Sequence, residues 1–109
     1  MSSDSANPTF HAVLDECSLA DNSMEIVDHQ GNKIAIIKRF GKIYALDNIC
    51  PHLGGSLGRG ILKDNCVICP LHHWTFDLGT GKCVDGIPDE KVGIYETKVE
   101  NGKIQVKLG

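Results

Sequence analysis

The sequence is poor in large rings and has no long apolar run. One Trp, two Tyr and three Phe stand among 109 residues, and nowhere do 18 apolar residues follow one another, so no membrane span is expected. A basic surplus is missing too. Eleven Lys and Arg face 14 Asp and Glu, a formal charge of −3. This argues against a nucleic-acid partner, which needs a basic face. It suits docking to a basic patch on another protein, or simply a soluble surface. Met1–Pro8 has neither a basic start nor an apolar stretch, so it does not read as a secretory leader. Its Ser content suggests a disordered lead-in over 1–8, followed by a single domain over 9–109. A phosphate-binding loop, a nucleotide motif and a Ser/His/Asp arrangement are also absent, so the chain is not expected to be an enzyme on its own.

What is present is an all-β pattern. Twelve glycines and scattered β-branched residues predict short strands and tight turns. Strands are expected over Thr9–Val13, Met24–His29, Lys33–Phe40 and Ile43–Leu46, with one helical turn or a loop near Asp15–Leu19. In Lys33–Phe40, Ile34, Ile36 and Lys38 fall on one face and Ala35, Ile37 and Arg39 on the other. A hairpin is expected from Ile61–Leu62 to Cys66–Ile68, then short strands at Trp74–Phe76 and Lys82–Val84, and a loop over Asp85–Asp89. A closing hairpin joins Val92–Glu100 to Lys103–Leu108 through Asn101-Gly102, a strong type I′ signal. These closing strands are expected to return to the earlier meander and complete a sandwich or barrel-like base.

Two segments carry the chemistry. Cys50-Pro51-His52-Leu53-Gly54 and Cys69-Pro70-Leu71-His72-His73-Trp74-Thr75-Phe76 each offer one thiolate and one imidazole, with 16 residues between His52 and Cys69. Two such loops can close on one metal site. Zinc is the common guest of two Cys and two His, but zinc fingers usually pair like ligands. A mixed pair in each loop suits a two-iron, two-sulfide cluster with Cys on one iron and His on the other. Zinc, as a structural interaction module, stays open as an alternative. Cys66-Val67-Ile68-Cys69 is nominally a redox Cys-x-x-Cys, but that motif opens a helix, whereas Val67 and Ile68 favour a strand. Cys66 and Cys83 read as small apolar fillers. Three non-ligand cysteines, with Cys17, make no disulfide framework, and a reducing cytoplasm is the simplest home. Gly54, Gly55, Gly58 and Gly60 follow the first ligand pair. They read as backbone that approaches an inorganic group closely.

The ligand pattern resembles the Rieske [2Fe–2S] family, and the resemblance runs from about residue 9 to 109. It implies a β base domain with an inserted cluster-binding subdomain at about 48–88, and one [2Fe–2S] cluster per chain. Cys50 and Cys69 would hold one iron, and His52 and His72 the other. Leu53, Gly54, Gly55, Pro70, Leu71, Trp74, Phe76 and Pro88 would surround the cluster, Pro88 from a third covering loop. The outer nitrogens of His52 and His72 would face solvent as the electron exit and could couple potential to pH. His73 departs from the Gly more usual after the second ligand His. His11 and His29 receive no role.

The resemblance also implies function. An oxidised site with two thiolates and two neutral imidazoles is neutral, so it takes an electron more readily than a four-thiolate site. High-potential members carry a disulfide between the ligand loops, where this chain has Gly55 and Leu71. They also place Ser and Tyr hydroxyls by the cluster sulfurs, where this chain has Trp74 and Phe76. Lacking both, the chain should lie at the low end of the class, roughly −150 mV. The expected role is a soluble, cytoplasmic, monomeric ferredoxin. It would pass electrons from a flavin-containing reductase to a terminal oxygenase of the ring-hydroxylating type. The alternative is a small subunit of an NAD(P)H nitrite reductase.

Overall fold

The computed structural model describes residues 9–29, 31–49, 56–71, 73–85 and 91–108. The expected lead-in at 1–8 and most of the loop expected at Asp85–Asp89 lie outside these residues. No helix among the described residues is long and apolar enough to cross a membrane.

Among the described residues, eleven strands follow in order: β1 Thr9–Asp15, β2 Ser23–His29, β3 Asn32–Arg39, β4 Lys42–Asp47, β5 Ile61–Lys63, β6 Cys66–Ile68, β7 Thr75–Asp77, β8 Cys83–Asp85, β9 Ile94–Tyr95, β10 Thr97–Glu100 and β11 Lys103–Leu108. Near Asp15–Leu19, where the sequence predicts one helical turn or a loop, there is a short 3-10 turn, Glu16–Ser18. The strands form three antiparallel sheets, ordered β1-β11-β10, β2-β3-β4-β9 and β5-β6-β7-β8.

Strand β3 is the keel. Ile34, Ala35, Ile36 and Ile37 are all 0 % exposed, because both faces of its sheet are covered. Alternation sends Ile34 and Ile36 one way, to Leu19, Ala45, Ile104 and Val106. It sends Ala35 and Ile37 the other way, to Leu46, Leu57, Val67, Phe76 and Leu78. An antiparallel sheet more often leaves one face wet. Here the meander is a middle layer. One side bears on the β1-β11-β10 sheet and the other on the small sheet β5–β8.

The closing segment differs from expectation. Val92–Glu100 is not one strand. β9 pairs with β4 through Ala45↔Tyr95, whereas β10 pairs with β11 through Thr97↔Val106. The chain changes sheets at Glu96, so only β9 returns to the meander, and β11 pairs with β1 instead. The Asn101-Gly102 turn is as expected, with φ of 55° and 75°, both in the left-handed region that type I′ requires.

Candidate metal centre

Cys50, His52, Leu53, Gly54, Gly55, His72 and Pro88 lie outside the described residues. What the structure describes is how their loops are anchored. Each of the three loops is closed at its base by antiparallel pairing: Ile49↔Ser56 for the first, Ile68↔Thr75 for the second and Lys82↔Lys91 for the third.

Asn48 anchors the first loop. It is 3 % exposed, the single buried polar or charged residue among those described. Its backbone N–H donates to the Lys33 carbonyl (3.0 Å), and its carbonyl accepts from the Leu57 N–H (2.7 Å). Its Nδ2 donates to Ser56 Oγ (2.9 Å), and its Oδ1 accepts from the Gly58 N–H (2.7 Å). One side chain therefore bridges the chain just before the loop to the chain just after it. Buried amides persist when satisfied in this way. Leu57 packs beneath, in the core shared with Phe76 and Val67. Nothing in the sequence pattern marked Asn48. Its partners lie 8 and 10 residues on, across the loop.

Two of the four glycines have a reason other than the expected one. A Cβ on Gly58 would meet Ile26 Cγ1 at 2.4 Å and Asn48 Oδ1 at 2.9 Å. One on Gly60 would sit 2.0 Å from the Ile68 carbonyl oxygen. Their closeness is to this chain's own packing around Asn48 and β6.

The second loop is a tight turn. The Cys69 N–H donates to the Trp74 carbonyl (2.7 Å), and the His73 N–H returns to the Cys69 carbonyl (2.9 Å). Cys69 is 1 % exposed and free of any disulfide. Its neighbours Pro70 and Leu71 are exposed, Leu71 by 55 %. His73 is exposed with φ of 60°. A left-handed residue is needed there to turn the chain back into β7, which explains on physical grounds why glycine suits the position. Phe76 is fully buried opposite Val67 in the β6–β7 pairing. Trp74 packs partly buried against the same core.

The third loop is held through Gly81. Its N–H donates to the Asp77 carbonyl (2.8 Å), and its carbonyl accepts from the Val92 N–H (2.8 Å). With φ of +76° and the Val92 oxygen 2.2 Å from where a Cβ would lie, only glycine fits. Behind it, Tyr95 ties β9 to β4 by donating its hydroxyl hydrogen to Asp47 Oδ1. Burial, then this bond and the Asp47 charge, push the Tyr95 pKa up to about 12.

Of the remaining cysteines, Cys83 is a buried filler as expected, Cys66 is only half-buried and Cys17 is exposed. His11 and His29, to which no role was given, meet with ring centroids 4.7 Å apart. The donor chemistry fits a cluster: a buried, unbridged thiol at Cys69, in one of the two loops expected to bear ligands, each pinned at both ends.

Comparison with known proteins agrees. A Rieske [2Fe-2S] domain model matches residues 9–100. The chain is 35% identical over 97 residues to the ferredoxin component of the naphthalene 1,2-dioxygenase/salicylate 5-hydroxylase systems of Ralstonia sp, covering 89% of this chain and 91% of that protein. It is 34% identical over 84 residues to cholesterol 7-desaturase of Caenorhabditis elegans, spanning 74% of this chain but about a fifth (20%) of that longer protein. Among solved structures, the ferredoxin of carbazole 1,9a-dioxygenase from Nocardioides aromaticivorans superposes with a TM-score of 0.86 at 24% identity, over 93% of this chain and 99% of that one. A protein assigned as the small subunit of an NADH-dependent nitrite reductase from Mycobacterium tuberculosis gives 0.85 at 25% identity, over 94% and 96%.

Proposed function

The chain belongs to the Rieske [2Fe–2S] domain family, and from that membership we propose that it is a soluble one-electron carrier of the ferredoxin type. It receives electrons from a flavin-containing reductase and passes them to a terminal oxygenase, catalysing nothing itself. The observation that carries this reading is the match along 91% of a dioxygenase ferredoxin component, whereas the desaturase relative is mostly sequence this chain does not span. Cytoplasmic location and a monomeric carrier complete the proposal.

We assign Cys50 and Cys69 to one iron and His52 and His72 to the other, within a cluster-bearing part at about 48–88. When bound, the cluster supplies reversible one-electron chemistry. The chain's own part is to hold the ligands still. Asn48 pins the first loop, the Cys69–Trp74 turn sets the second, and Gly81 with Val92 fixes the third, which would carry Pro88 over the cluster. Leu53, Gly54, Gly55, Pro70, Leu71, Trp74 and Phe76 surround it in this assignment and bring no hydroxyl of their own. A potential of roughly −150 mV follows.

The test is an EPR spectrum of the dithionite-reduced protein together with a redox titration. A signal averaging near g of about 1.9 and a midpoint at the low end of the class are expected. A colourless protein containing zinc would end the proposal, and a midpoint above zero would overturn the reading of Trp74 and Phe76. The second reading, a nitrite reductase small subunit, rests on the comparable superposition at 25% identity. A large subunit that stays bound through purification would favour it.

A further inference from the structure

The small sheet β5–β8 has two unlike faces. Its inner face, Leu62, Val67, Phe76 and Cys83, joins the core. Its outer face is a groove of about 490 Å³. Ile61 and Ile68, paired across β5 and β6, lie on that face with Cys66 and Val84. Ile61 is 63 % exposed and Val84 60 %. Two further observations bear on what this face binds. The groove ends at His73, which belongs to the Cys69–Trp74 turn and is next in sequence to the assigned ligand His72. Its charges are also unequal. Asp64 and Asp85 line it against the single cation Lys63, and Asp77 stands opposite Cys66 in the β6–β7 pairing. The Cys66 thiol reports this field: its pKa is raised by burial first, then by Asp77 and Asp64. It stays a neutral, apolar part of the groove floor.

We propose that this groove is the seat of the electron-exchange partner, and that the partner is a protein presenting an aliphatic projection ringed by Arg or Lys. The proposal rests on the electron-carrier reading and adds the docking face to it. Acidic side chains guide a basic partner in, and Ile61, Ile68 and Val84 give it apolar area to bury. Its edge then lies beside the turn that carries His72.

Oxidised mitochondrial cytochrome c, a small basic haem protein, is the probe. The reduced protein is mixed with it, and the second-order rate constant for haem reduction is followed against ionic strength. The double substitution Asp64→Asn with Asp85→Asn should lower the rate about tenfold at low salt and flatten its salt dependence. Asn accepts the φ of 52° at position 64. Ile61→Ser with Val84→Ser should lower it at least threefold even at high salt, and Glu25→Gln on β2 should change nothing. Carbodiimide cross-linking gives an independent readout, with adducts expected at Asp64 and Asp85. Adducts confined to acids such as Glu25 or Glu100, or rates unchanged in both double variants, overturn the proposal. So does sedimentation as a dimer that Ile61→Ser dissociates, because a second copy would then fill the groove. A missing EPR signal in the parent protein is a separate failure, that of the carrier reading, and the cross-linking map is read without it.

Discussion

At the scale of single residues, the site depends on groups that are not ligands. Asn48 makes four hydrogen bonds from a buried position, two of them through its side chain. Asn48→Ala would leave the Gly58 N–H without its acceptor and the Ser56 hydroxyl without its donor, at a cost of about 1–3 kcal/mol for a buried group left unpaired. We expect a loss of about 3 kcal/mol in urea unfolding and reduced cluster content as purified. A loss under about 1 kcal/mol would show that the bridge is dispensable. His73 offers the opposite sign. Its φ of 60° costs an L-residue roughly 1–2 kcal/mol, and glycine removes that cost while adding entropy to the unfolded chain. His73→Gly should therefore stabilise by up to about 1 kcal/mol with the EPR spectrum unchanged. Destabilisation would mean that the exposed imidazole makes a contact of its own. The candidate ligands stood out in the sequence because a mixed Cys and His pair in each of two loops is a restricted pattern, although Cys50, His52 and His72 lie outside the described residues. Asn48 was not, since an Asn between a strand and a loop reads as turn chemistry until its partners across the loop are known.

At the scale of elements, alternation was a good guide where one strand keeps one set of neighbours. The faces of β3 came out as read, because Ile34 and Ile36 share one core and Ala35 and Ile37 the other. It failed at 92–100, where the pattern runs on but the partner changes at Glu96. A change of sheet is a tertiary event, and a period of two carries no trace of it. The break has a consequence that can be measured. β9 has only two residues, Ile94 and Tyr95, and its hold on β4 includes the Tyr95–Asp47 bond. Asp47 directly precedes Asn48, so this bond bears on the start of the loop that leaves β4. In the folded state Tyr95 titrates at about 12, against about 10 when unfolded. The native state thus keeps its proton over that window while the unfolded chain gives its proton up. The stability coupled to this proton, through burial first and then the bond to Asp47, is fully present below pH 10 and is lost as pH rises from 10 to about 12. Tyr95→Phe should be less stable than the parent at pH 8, with the difference shrinking towards pH 12. Unfolding curves at both pH values check it, and a constant difference would show that the bond contributes nothing.

At the scale of the whole molecule, the two cores share β3 but differ in what closes them. The core of Ile34, Ile36, Ala45, Ile104 and Val106 lies between two sheets whose longest strands run to six, seven and eight residues. The other core is roofed by β5–β8, each three residues long, below the length at which strands persist without support. The first loop joins that roof to the middle sheet, running on from β4, and the second turns from β6 into β7 within the roof. In the proposed assignment, a cluster held by Cys50, His52, Cys69 and His72 would link the two loops, and its binding free energy would become folding free energy of the roof. Removing the iron by chelation under anaerobic, reducing conditions should therefore act unevenly. Amides of β5–β8 should exchange with solvent at least tenfold faster, while those of β2, β3 and β11 keep most of their protection. Phe76 and Val67 touch the same core as Ala35 and Ile37, so β3 should retain protection on the strength of its other face. Equal loss in all three sheets would mean that the cores unfold as one unit. No loss in β5–β8 would mean that the roof stands without the cluster.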